Sequence, residues 1–150
     1  MADGSENEQW YTSDLVMEIS VSGSMRNVVH RNLVLIRAGS ADEAYGKALR
    51  LGQEAETSYE NPAGQLVQIR FRGVSKLDSM YEELGDGAEL TFTEYVGVSP
   101  EEIEAWIPPR EQLGVFIPPA PGRKHDPDYR SRTVIEMVLD RLKSDEPAGD

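Results

Sequence analysis

Apolar and polar residues alternate with period two along several stretches of this chain, the pattern of strands with one buried face. In the stretch from Trp10 to Val21, Leu15, Met17, Ile19 and Val21 share one side, and Val16, Glu18 and Ser20 the other. Turn-forming residues follow at Ser22-Gly23-Ser24-Met25-Arg26-Asn27. A second strand is expected from Val28 to Ala38, antiparallel to the first. Its run Leu33-Val34-Leu35-Ile36 is apolar on both faces, which predicts a central strand or one covered on both sides. Gln65 to Gly73 reads as a third strand, with Val67, Ile69 and Phe71 opposite Gln68, Arg70 and Arg72. A fourth through Lys76 to Tyr81 and a fifth from Ala88 to Val96 bring the expected sheet to about five strands, with Gly85-Asp86-Gly87 as the turn between them.

Three helices interrupt this pattern. The first starts at Ser40, whose hydroxyl can accept from the amide of Glu43 while Glu43 reaches back to the amide of Ser40. Ala44, Ala48, Leu51 and Ala55 follow at helical spacing, and small side chains let a helix lie close to a sheet. This helix is expected to end near Ser58, ahead of Asn61-Pro62-Ala63-Gly64. Ser99-Pro100-Glu101-Glu102 opens a short second helix that reaches about Trp106 and stops at Pro108-Pro109. Six of the nine prolines then fall in a connector that also holds the apolar run Leu113-Gly114-Val115-Phe116-Ile117, which calls for burial. From Tyr129 to Lys143, Ile135, Val138, Leu139 and Leu142 form one stripe of an amphipathic helix. The expected organisation is a disordered leader over residues 1–9, a domain over 10–106, a proline-rich arm over 107–128, a C-terminal helix over 129–144 and a polar tail over 145–150. The fold class is α+β, a mostly antiparallel sheet with one main helix on a face.

The charge balance narrows the partners. At a net charge of -12 the chain opposes nucleic acid and anionic membrane surfaces, and favours a basic protein partner. The absence of cysteine excludes disulfides, thiolate metal sites and a cysteine nucleophile. The first eight residues have neither a basic end nor an apolar run, so no signal peptide is expected. No stretch approaches the ~20 apolar residues of a membrane helix. A cytoplasmic location follows as the expectation.

Candidate chemistry is sparse. The two histidines, His30 and His125, lack metal-ligand spacing, so no metal or cofactor is expected. Glu82, Glu83, Asp86 and Glu89 form one acidic cluster and Glu101, Glu102 and Glu104 another, and both read as solvated surface. No Gly-x-Ser-x-Gly elbow and no phosphate loop is present, and no catalytic residue is assigned. Arg70 and Arg72, with Gln68 beside them, could clamp a carboxylate or phosphate, as in a small anionic-ligand binder or an enzyme, or could pair with acidic residues on neighbouring strands. The arm and last helix offer an interaction surface through Val115, Phe116, Ile135, Val138, Leu139 and Leu142. That surface could dock on its own sheet, on a partner protein, or on a second copy in a homodimer.

Several short landmarks are shared with a known family. Trp10-Tyr11 opens the first strand, Glu43-Ala44 lies in the capped helix, Tyr59-Glu60-Asn61 precedes Gly64, and Phe71-Arg72-Gly73-Val74 leaves the third strand. Over roughly residues 10–96 the chain resembles a bacterial family known as domain of unknown function number 4288. The resemblance implies a small α+β domain and supplies no catalytic residue. It does not extend to the arm or the last helix.

Overall fold

The strand that holds Trp10 is the one around which the sheet assembles. The computed structural model describes residues 8–118 and 126–144. These fall into two compact units, residues 8–91 with 126–144, and residues 92–118. In the first unit the order is β1 (Gln9–Val21), β2 (Val28–Ala38), α1 (Ala41–Glu54), β3 (Thr57–Glu60), β4 (Leu66–Ser79) and, at the end of the chain, α3 (Arg132–Ser144). The four strands lie in the order β2-β1-β4-β3, and every neighbouring pair is antiparallel.

Tyr11, Leu15, Met17, Ile19 and Val21 of β1 are all buried, as the alternation predicts for a strand with neighbours on both sides. Ile36 and Ala38 of β2 and Ala44 and Ala48 of α1 close the larger core cluster over one sheet face. A second cluster, Ile19, Val21 and Val67 with Tyr59 and Val28 against it, lies toward the other end of the same strands.

Among the described residues the sheet has four strands rather than about five. What reads as a third and a fourth strand is one strand, β4. The β1–β4 register slips between Val16/Met17 and again between Asp14/Leu15, leaving Arg72 and Ser75 as extra residues, so β4 bulges twice and continues. Gly73 carries the first bulge with a φ of +145°, a region a side chain would disfavour. Residues 88–96 form no strand, and Leu90, Phe92 and Val96 are exposed. The fourth strand comes from an unexpected place. α1 ends at Glu54 instead of near Ser58, and Thr57 to Glu60 pair with Ile69 to Leu66, where Tyr59 gains a place against the second core cluster.

The second strand, expected to be central or covered on both sides, is an edge. Leu33 and Leu35 face away from α1 and stay exposed, so the apolar run is buried on one face only. The cap of α1 also differs by one residue from expectation. Ser40 Oγ accepts from the Glu43 amide at 3.1 Å, but the Glu43 carboxylate accepts from the Gly39 amide at 3.0 Å. The buried stripe of α1 is Ala44, Ala48 and Gly52, while Leu51 and Ala55 are exposed.

The second unit contains α2 (Pro100–Ala105), where the Ser99 hydroxyl and the Glu102 carboxylate satisfy each other's amides as the capping pattern predicts. The rings of Tyr95 and Trp106 meet at a tilt of 49° with their centres 4.8 Å apart. Two short 3-10 turns follow, Arg110–Gln112 and Gly114–Phe116. Leu113, Val115, Phe116 and Ile117 are exposed, against the expectation of burial, with the Arg110 guanidinium 4.0 Å from the Phe116 ring centre.

Candidate functional site

Gln68 and Arg70 alternate with Val67 and Ile69 along β4 and so face away from α1. Arg70 stands opposite Glu18 in the β1–β4 register, and the bulge carries Arg72 to the same carboxylate, with Nε 3.9 Å from Glu18 Oε1. Asn27 Nδ2 donates to the other oxygen of Glu18 at 2.6 Å. An internal carboxylate is therefore the counter-charge that Arg72 meets on this face. Among the described residues Arg70 itself has no ion pair. Both arginines are exposed.

The segment before α3 returns to the sheet of its own chain. The Tyr59 hydroxyl donates to the Tyr129 carbonyl, and Asn61 Nδ2 donates to the Asp128 carbonyl at 3.0 Å. The His30 ring meets the Tyr129 ring edge-on at 5.4 Å, and Arg26 pairs with Asp126 at 3.3 Å. Asn61 is fully buried, and its Oδ1 also accepts from the amides of Ala63 (3.0 Å) and Gln65 (2.8 Å). Burial, then the neighbouring Tyr129 and Asp128, raise the Tyr59 pKa. The Asp128 carboxyl is held below its ordinary value, chiefly by the Arg130 guanidinium that donates to it twice at 2.8 Å.

Beyond this anchor, α3 buries no residue. Val138 is 52 % exposed, Leu139 50 % and Leu142 61 %, while Ile135 is half-buried. Val134 and Met137 add to the same exposed apolar surface. The other two residues assigned to an interaction surface, Val115 and Phe116, lie in the second unit and are exposed there.

A cleft of about 520 Å³ lies at the opposite end of the sheet from Glu18, lined by Trp10, Arg37, Glu8, Glu82, Glu83 and Tyr81 among others. Trp10 and Glu18 are eight residues apart on β1, about 26 Å at the rise of a strand. The cleft is thus not beside Arg70 and Arg72. Arg37 opposes Trp10 in the β1–β2 register; its guanidinium lies 5.7 Å from the Trp10 ring centre, and its Nε 3.2 Å from Glu8 Oε2. One oxygen of Glu82 accepts from the Glu89 amide at 2.9 Å.

Among the described residues, no group of three or more His, Asp or Glu is placed to hold a metal ion, and no helix is long and apolar enough to cross a membrane. His125, Pro119, Pro121, residues 1–7 of the leader and the tail over 145–150 lie outside the described residues. Sequence reasoning missed the part played by Asn61 and the cleft at Trp10. Both residues stood among the family landmarks, and a turn asparagine flanked by free amides is a recognisable polar hub.

A family model described as "Domain of unknown function (DUF4288)" matches residues 10–92, more than half of the chain. No curated protein and no solved structure matches.

Proposed function

The chain belongs to the DUF4288 family, whose description names no activity, and from that premise we propose that it is a small acidic protein-binding module, an adaptor, inhibitor or immunity-like protein of bacterial origin. The supporting observation is α3: a helix tethered at its N-terminal side to the sheet, with its apolar stripe at Val138, Leu139 and Leu142 left half exposed or more. An amphipathic helix in that condition is suited to lie in an apolar groove of another protein. The net charge of -12 adds a preference for a basic surface around that groove and speeds encounter with it. Cytoplasmic residence belongs to the same reading and is supported by the cysteine-free sequence.

Capture on immobilised full-length chain from lysate of the native host, at low salt, tests the reading. A protein retained by the natural chain and lost with the double variant V138D/L142D is the expected result. Retention of no protein, or retention indifferent to those substitutions, overturns it.

A homodimer is the second reading, and β2 favours it. Ser22 donates to the Leu66 carbonyl, so even-numbered residues of β1 bond toward β4 and odd ones toward β2. Across the β1–β2 register the odd residues of β2, Val29 to Arg37, then direct their amides and carbonyls outward from the sheet. Such an edge of 11 residues without proline or bulge is open to a second strand. Light scattering on the full chain decides this reading. A dimer mass supports strand pairing between copies, and a monomer mass at tens of micromolar rejects it.

A further inference from the structure

We propose that the cleft at the Trp10 end of the sheet binds a guanidinium or ammonium group carried on a flexible stem, as in an arginine or lysine side chain. Three observations converge. The cleft, at about 520 Å³, has the volume of a small-ligand site. Its charged lining is Glu8, Glu82 and Glu83 against Arg37 alone, a surplus of two carboxylates. Trp10, the aromatic best suited to holding a cation over its face, lies in its wall, and Arg37 already rests there at 5.7 Å.

Arg37 is therefore an internal occupant of the site the cleft offers. Its guanidinium lies over the Trp10 ring, 5.7 Å from its centre, and pairs with Glu8 at 3.2 Å. An incoming cation would displace it from both. Glu83 has no ion pair among the described residues, and Glu82 spends one oxygen on the Glu89 amide and keeps the other. These two carboxylates are the counter-charges left for a ligand. Desolvation over an indole face strengthens such a contact, and the acidic surface of the chain raises the local concentration of cations at the mouth.

The inference rests on residues separate from α3, and a small probe has no apolar groove, so its failure leaves the helix reading untouched. The test uses the full-length chain carrying W106F, which leaves Trp10 as the one indole. Its fluorescence is titrated with acetyl-Gly-Arg-Gly-amide, with free arginine, and with glycinamide as a control lacking the stem. The peptide should give a saturable response in the millimolar range or tighter, weakened several-fold by 0.5 M salt. Free arginine, whose own carboxylate meets Glu82 and Glu83, should bind several-fold more weakly; equal binding assigns the site to a free guanidinium compound, within the same chemistry. R37Q removes the internal competitor and should tighten the peptide three- to tenfold, whereas E83Q should weaken it at least threefold. No saturable response in any of the three chains overturns the proposal. So does a response that glycinamide reproduces, or one that R37Q abolishes.

Discussion

Phe71 lies directly on the backbone of Gly52: a Cβ added to Gly52 would stand 2.4 Å from the Cδ1 and Cε1 atoms of that ring. The helix α1 and strand β4 meet at van der Waals distance there, so the glycine is required for approach rather than for its φ. Alanine in a helix is ordinarily favoured over glycine by about 1 kcal/mol. Here overpacking outweighs propensity, and G52A should destabilise the protein by about 1–3 kcal/mol. The pair G52A/F71L should recover part of that loss. Urea unfolding of the two variants beside the natural chain checks both signs.

Asn61 joins three pieces of chain through one side chain. Its oxygen accepts from Ala63 and Gln65, and its nitrogen donates to Gln65 Oε1 and to the Asp128 carbonyl. N61A leaves these groups without a partner in a buried position and should cost about 2–3 kcal/mol. N61D keeps the acceptor and turns the donor into a second anionic oxygen aimed at a carbonyl, so it should remain destabilised at neutral pH. Thermal melting of both variants measures the difference.

The docked segment carries its own pH window. Asp128 titrates below its ordinary value in the folded chain, so its contribution is complete above about pH 4 and fades as pH falls through the folded value. Tyr59 titrates above its ordinary value, so its contribution is complete below about pH 10 and is lost as pH rises through the folded value. The folded chain should therefore be most stable between those limits. Y59F should flatten the alkaline limb of melting temperature against pH, and D128N the acid limb.

The hairpin, α1, α2 and the last helix were legible from periodicity and caps, because each owes its form to local pattern. The edge position of β2 was not, since Leu33 and Leu35 look the same in sequence whether covered or exposed. The two bulges hid the continuity of β4: each extra residue flips the inward set, so a single strand reads as two broken ones. β3 was hidden for the opposite reason. Thr57 to Glu60 has too few residues for alternation to show, and its pairing with β4 is a tertiary fact. Of the candidate site, the exposed stripe of α3 was readable at helical spacing, but the cleft was not. Trp10, Arg37 and Glu83 are far apart in sequence and meet through strand register and the loop after β4.

The anchor segment and α3 should separate cleanly in their effects, because one is bonded to the sheet and the other is bare. Residues 126–131 receive hydrogen bonds from Tyr59 and Asn61 and an ion pair from Arg26. Removing everything after residue 124 takes those partners away and should lower stability by about 2–4 kcal/mol at roughly 1 kcal/mol per bond. Removing only residues after 132 keeps all of them and deletes a helix with no fully buried residue and only Ile135 half-buried, so stability should change by less than about 1 kcal/mol. Denaturant unfolding of the two truncations measures this directly. A large loss from the shorter deletion would mean that α3 packs on the sheet and has no free face to offer. A small loss from both would mean that the Tyr59 and Asn61 contacts do not hold the segment, and the helix would then be tethered by nothing but the chain.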